Sequence, residues 1–168
     1  ELVFSFSVLT PPTIYKVNRD GTGLRKLTTQ PPSGQGTAYH EYPSFFPDGK
    51  IGYVYHLSDS TGLKDKSIRV MNADGTGKLV LVNLSNTASD LAVSPDGSTI
   101  VFSGAHGGRG GLYKVKTDGS SLELILRSPF DGVYRSSVWF DPRNAKPSRP
   151  AWDVNDDGTV DIQDLVLV

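Results

Sequence analysis

Residues 153–164 read DVNDDGTVDIQD, with five Asp in twelve positions and neither Lys nor Arg. Counted from Asp153, side-chain oxygens fall at positions one, three, five, nine and twelve: Asp153, Asn155, Asp157, Asp161 and Asp164. Gly158 stands at position six, where such a loop must bend sharply, and Thr159 at seven supplies a backbone carbonyl. Alternate residues of a tight loop point inward together, which suits a hard cation that takes about six to eight oxygen ligands. Without a cation the four carboxylates would repel one another. A plain Asp-rich turn would share this composition but would not need the spacing. The spacing is that of a Ca²⁺ loop, and the expected ligands are Asp153, Asn155, Asp157, Thr159, Asp161 and Asp164. Mg²⁺ suits it less, because that ion demands a compact octahedron and keeps its waters.

The loop closes on Asp164 rather than on the bidentate Glu of EF-hands. With D-x-N-x-D-G-x-V-x-x-x-D-L it resembles a dockerin repeat. That resemblance implies Ca²⁺ as cofactor, an extracellular or cell-envelope setting, and a helix after the loop over 162–168. Ile162, Leu165 and Val166 would share one face of that helix. A dockerin pairs two such repeats, and only one stands here, so cohesin binding is not expected of it. NAKPSRPAW (144–152), rich in Pro and polar residues, reads as a linker ahead of the loop.

Other residue types capable of chemistry are sparse. The chain lacks cysteine, which removes disulfides, thiolate zinc sites and cysteine nucleophiles together. Its three histidines, His40, His56 and His106, stand far apart in sequence, and turn or surface positions are their expected roles. GAHGGRGG (104–111) joins one strand-like run to another. It therefore reads as a hairpin tip, since a phosphate loop needs a helix N-terminus. Lys and Arg number 17 against 18 Asp and Glu, so no global charge favours nucleic acid or an anionic membrane. No apolar run approaches the roughly 20 residues that span a bilayer.

The elements that must position these residues come in short repeats. Asp-Gly recurs at Asp20-Gly21, Asp48-Gly49, Asp74-Gly75, Asp96-Gly97 and Asp118-Gly119. Asp tolerates the turn and Gly accepts a positive φ, so each pair marks a hairpin. Two contexts alternate: Pro-Asp-Gly at 47–49 and 95–97, and Asp-Gly with small polar residues at 20–23, 74–77 and 118–121. Between them lie runs rich in Val, Ile, Tyr and Phe, often alternating, such as KIGYVYHL (50–57) and TIVFSGA (99–105). Four short strands per period of 40–50 residues is the pattern of a propeller blade.

Pro-Asp-Gly-Lys, then a strand, then IRVMN, then Asp-Gly-Thr-Gly and a further strand resembles the TolB-like (WD40-like) β-propeller repeat. The resemblance covers 1–143 and implies an all-β fold of about three four-stranded blades. Glu41–Asn83 and Ser89–Arg127 match a complete blade. LVFSFS (2–7), TIYKVN (13–18) and LRKLT (24–28) supply strands two to four of another, and YRSSVWFDP (134–142) reads as a first strand. Three blades cannot close a ring, so the expectation is either a homodimer that completes a six-bladed propeller, with the first strand of one chain completing the split blade of its partner, or a piece of a longer propeller whose end blades are otherwise covered. The resemblance implies a non-enzymatic module that binds protein or glycan at the propeller channel, with Tyr39, Tyr42, Tyr134 and Trp139 available to line it. The alternative is the propeller portion of a polysaccharide lyase or hydrolase, in which His40, just before a first strand, would approach the central axis.

Overall fold

The structure is a computed structural model, and it describes residues 1–8, 10–86 and 88–128. The linker at 144–152, the Ca²⁺ loop with Asp153, Asn155, Asp157, Thr159, Asp161 and Asp164, its helix, and the first strand expected at 134–142 lie outside the described residues. Among the described residues every regular element is a strand, and no helix is long and apolar enough to cross a membrane.

The strands form three antiparallel sheets in chain order. Sheet 1 holds β1 (Leu2–Phe6), β2 (Thr13–Val17) and β3 (Arg25–Lys26). Sheet 2 holds β4 (Thr37–Phe45), β5 (Ile51–Asp59), β6 (Gly62–Met71) and β7 (Leu79–Asn83). Sheet 3 holds β8 (Ala88–Val93), β9 (Thr99–His106), β10 (Arg109–Lys116) and β11 (Glu123–Arg127). Each four-stranded sheet is a meander of neighbouring strands. Two four-stranded sheets and one of three strands are consistent with the expected partial blades, although β4 begins at Thr37, four residues ahead of the expected Glu41.

The Asp-Gly pairs form the turns. At 72–76 the Asn72 N–H donates to Thr76 O (2.9 Å), the Gly75 N–H to Asn72 O (2.9 Å), and the Thr76 N–H to Asp74 Oδ1 (2.9 Å). The same three bonds recur at 18–22 and at 116–120. In the Pro-Asp-Gly turns, Asp48 Oδ1 accepts from the Lys50 N–H and Asp96 Oδ1 from the Ser98 N–H, each at 3.0 Å. Hydrogen bonds to the ionised form hold Asp20, Asp48, Asp74 and Asp118 below the usual carboxylate range, and bring Asp96 to about 2.

The turns align the sheets residue by residue. Phe4 pairs with Tyr15, Tyr53 with Arg69, and Phe102 with Tyr113. Leu2 pairs with Val17, Ile51 with Met71, and Ile100 with Val115. These residues form one face of each sheet, here called the leading face. The opposite, trailing face carries Ile14, Ile68 and Leu112 at equivalent positions. The trailing face of sheet 1 packs on the leading face of sheet 2 in a core of Ile14, Leu27, Ile51, Tyr53, Tyr55 and Met71. The trailing face of sheet 2 packs on the leading face of sheet 3 around Val54, Ile68, Ile100, Phe102, Tyr113 and Val115. Alternation explains β5, whose residues 51–55 are all buried: successive side chains enter cores on opposite sides of sheet 2.

Among the described residues, the outer faces of the flanking sheets carry exposed apolar side chains. Ile51, Tyr53, Ile100 and Phe102 are at most 1% exposed, whereas Leu2 and Phe6 on the leading face of sheet 1 are 54% and 53% exposed. On the trailing side of sheet 3, Ile125 and Leu126 are 49% and 51% exposed.

Candidate functional site

The sheets meet along their first strands. β4 packs beside β8, while β1 packs on β4 as β5 packs on β8. That pattern identifies β1 with β5, the second strand of a blade, and leaves its sheet without a counterpart of β4 among the described residues.

β4 and β8 carry the same irregularity. Pairing shifts between Glu41 and Ser44 in β4 and between Ser89 and Ala92 in β8. At the first bulge residue of each, Tyr42 has φ 51° and Asp90 has φ 52°. Non-glycine residues pay for that conformation, and recurring bulges re-aim side chains at strand ends. Sequence alternation gave no sign of the bulges. Across Glu41–Ser44 and across Ser89–Ala92 the first strand carries one more residue than the second strand opposite it.

His40 sits just before the bulge and is 4% exposed. Its ring lies 5.2 Å from that of Tyr55, edge-on, and 6.0 Å from that of Tyr53. His40 Nδ1 and the Tyr53 hydroxyl are both buried without a hydrogen-bond partner. Burial pushes the His40 imidazole down to about 4, opposed by the Pro12 carbonyl and aided by the charges of Arg69 and Lys78. Burial likewise pushes Tyr53 up to about 12, so both rings are neutral near pH 7. His40 is thus an interior histidine between sheets 1 and 2, neither a turn nor a surface residue.

Beside it, the Arg69 guanidinium lies 3.6 Å over the Tyr55 ring and pairs with Asp65 at 2.6 Å. Arg69 Nε donates to Ser67 Oγ (3.1 Å), which donates to Asp65 Oδ1 (2.9 Å). This network was missed in the sequence. Aligning the Asp-Gly turns exposes it, because Arg69 occupies the position of Tyr15 and Tyr113. Further along β4, Tyr39 stacks on His56 (4.3 Å), and His56 Nδ1 lies 3.6 Å from Glu41. Burial lowers His56 and raises Glu41, which moves both toward neutrality.

His106 lies apart at the β9–β10 hairpin, where Ser85 N–H donates to its Nδ1 (3.3 Å). Gly107 and Gly108 make the tip at φ 58° and 73°, as a strand-to-strand turn requires. Among the described residues no three His, Asp or Glu side chains gather as metal ligands. A cleft of about 390 Å³ opens between the two Pro-Asp-Gly turns, lined by Phe46, Pro47, Asp48, Lys50, Asp96 and Gly97 among others.

No family model matches the sequence. Among solved structures, the chain resembles the putative TolB of Agrobacterium tumefaciens, with TM-score 0.57 and 19% identity over 74% of this chain and 45% of that one. It also resembles an oligogalacturonate lyase in complex with manganese, with TM-score 0.54 and 22% identity over 71% of this chain and 30% of the lyase. A chain of a nidogen/laminin complex matches with TM-score 0.53 and 16% identity over 70% of this chain and 41% of that one. The chain therefore spans less than half the length of each. At these identities the likeness is one of fold: three stacked antiparallel sheets similar in structure to part of a TolB-like β-propeller.

Proposed function

We propose that the chain is a non-enzymatic β-propeller module for binding and assembly. In this reading its three sheets serve as blades, and a second copy completes a six-bladed ring. A protein or glycan ligand binds at the channel lined by β4 and β8. The module belongs to a secreted or cell-envelope protein, and the loop at Asp153, Asn155, Asp157, Thr159, Asp161 and Asp164 binds Ca²⁺. One observation carries the assembly: leading-face residues that are sealed in sheets 2 and 3 stand open in sheet 1. Exposed patches of this kind mark interaction sites. The non-enzymatic part is supported by the burial of His40 inside a sheet interface.

The competing role is the propeller portion of a polysaccharide lyase or hydrolase. Incubation with oligogalacturonates, and separately with a peptide panel, with and without Mn²⁺ or Ca²⁺, decides between them. The expected result is no turnover on any substrate. Metal-dependent cleavage of oligogalacturonate that is lost in His40→Ala or Glu41→Gln would overturn the proposal.

A further inference from the structure

The Asp-Gly turns do more than reverse the chain. A Cβ on Gly75 would stand 2.7 Å from the Leu27 carbonyl oxygen, so the turn of sheet 2 lies against the outer strand region of sheet 1. Gly119 meets the Leu81 carbonyl in the same way, which seats the turn of sheet 3 on sheet 2. Gly21 is the equivalent glycine of sheet 1, with φ 83° against 87° and 84° for the other two, yet nothing lies within 4 Å of its Cβ position. The residue of sheet 3 equivalent to Leu27 and Leu81 is Ile125, at the β10–β11 register shift matching that of β6–β7. Leu27 is 6% exposed and Ile125 is 49% exposed. Among the described residues, a contact made twice between sheets thus lacks its second partner at Gly21 and at Ile125.

We infer that the Asp20-Gly21 turn of one copy docks on the Ile125 carbonyl of a second copy. The docking seats the exposed Leu2 and Phe6 of one copy against the exposed Leu126 of the other. The inference rests on the assembly reading and gives it polarity: the contact runs head to tail, and two such contacts close the ring.

The test mixes isotopically light and heavy chains carrying Arg19→p-benzoylphenylalanine, illuminates them, and maps interchain crosslinks. Sedimentation of Gly21→Ala runs alongside. Gly34→Ala is the control, since Gly34 also has a positive φ (86°) and open space at its Cβ. Crosslinks to Glu123–Arg127 are expected, with association weakened at least about tenfold in Gly21→Ala and unchanged in Gly34→Ala. A dimer that crosslinks elsewhere, or that tolerates Gly21→Ala, overturns the docking and leaves the assembly reading standing. Wild-type chain that is folded and monomeric throughout the micromolar range overturns both.

Discussion

Gly75 and Leu27 belong to different sheets, yet a methyl group on the glycine would press to 2.7 Å from the leucine carbonyl oxygen. Only a residue without a side chain allows that approach, and φ 87° at Gly75 restricts the position further. Gly75→Ala should therefore cost about 2–3 kcal/mol, from left-handed strain plus an interior clash. Gly21→Ala in the dissociated chain should cost only the strain, about 1 kcal/mol. Urea titrations of the two variants at low concentration compare them directly.

Phe4 and Phe102 hold the same repeat position, but only Phe102 is sealed, at 1% exposure. Phe102→Ala should destabilise the fold by about 3–5 kcal/mol. Phe4→Ala should cost about 1 kcal/mol in the monomer, while weakening self-association. Thermal melts read the first effect and the concentration dependence of the mass reads the second.

His40 ties stability to pH. Its ordinary value of 6.5 falls to about 4 in the fold, so the unfolded chain binds the proton more readily. Stability from this residue is complete above pH 6.5 and is lost as pH drops toward 4, by up to about 3 kcal/mol. His56, also lowered by burial, acts in the same direction. Glu41, raised by burial, acts in the opposite direction as it protonates. Urea midpoints should fall steeply between pH 6.5 and 4.5, and His40→Phe should flatten most of that slope.

Calcium is expected at the acidic loop. Isothermal titration should show one Ca²⁺ site per chain that disappears in Asp153→Ala with Asp157→Ala, and that Mg²⁺ fills far more weakly. Heat evolution unchanged by the double substitution would remove the loop from the account.

The blade plan was legible because its punctuation is local. Asp-Gly turns fix hairpins through the backbone bonds of Asn72 and Thr76, and alternation in KIGYVYHL fixes which faces are buried. That sheet 1 holds strands two to four of a blade followed from LVFSFS, TIYKVN and LRKLT. The interior site was less legible. Arg69 looks like a solvated strand residue until the register with Tyr53 sets it between sheets. The burial of His40 depends on Pro12 and Tyr55, which lie on other strands and loops. The positive φ of Tyr42 and Asp90 arises from a bulge that no residue type announces.

The central claim is that the open faces of sheets 1 and 3 cover one another in an assembly of two chains. Small-angle X-ray scattering on freshly folded protein in the micromolar range reports both mass and shape. The account predicts a particle of twice the 18.1 kDa chain mass, with the profile of a short ring. A folded particle of 18.1 kDa at every concentration would contradict it.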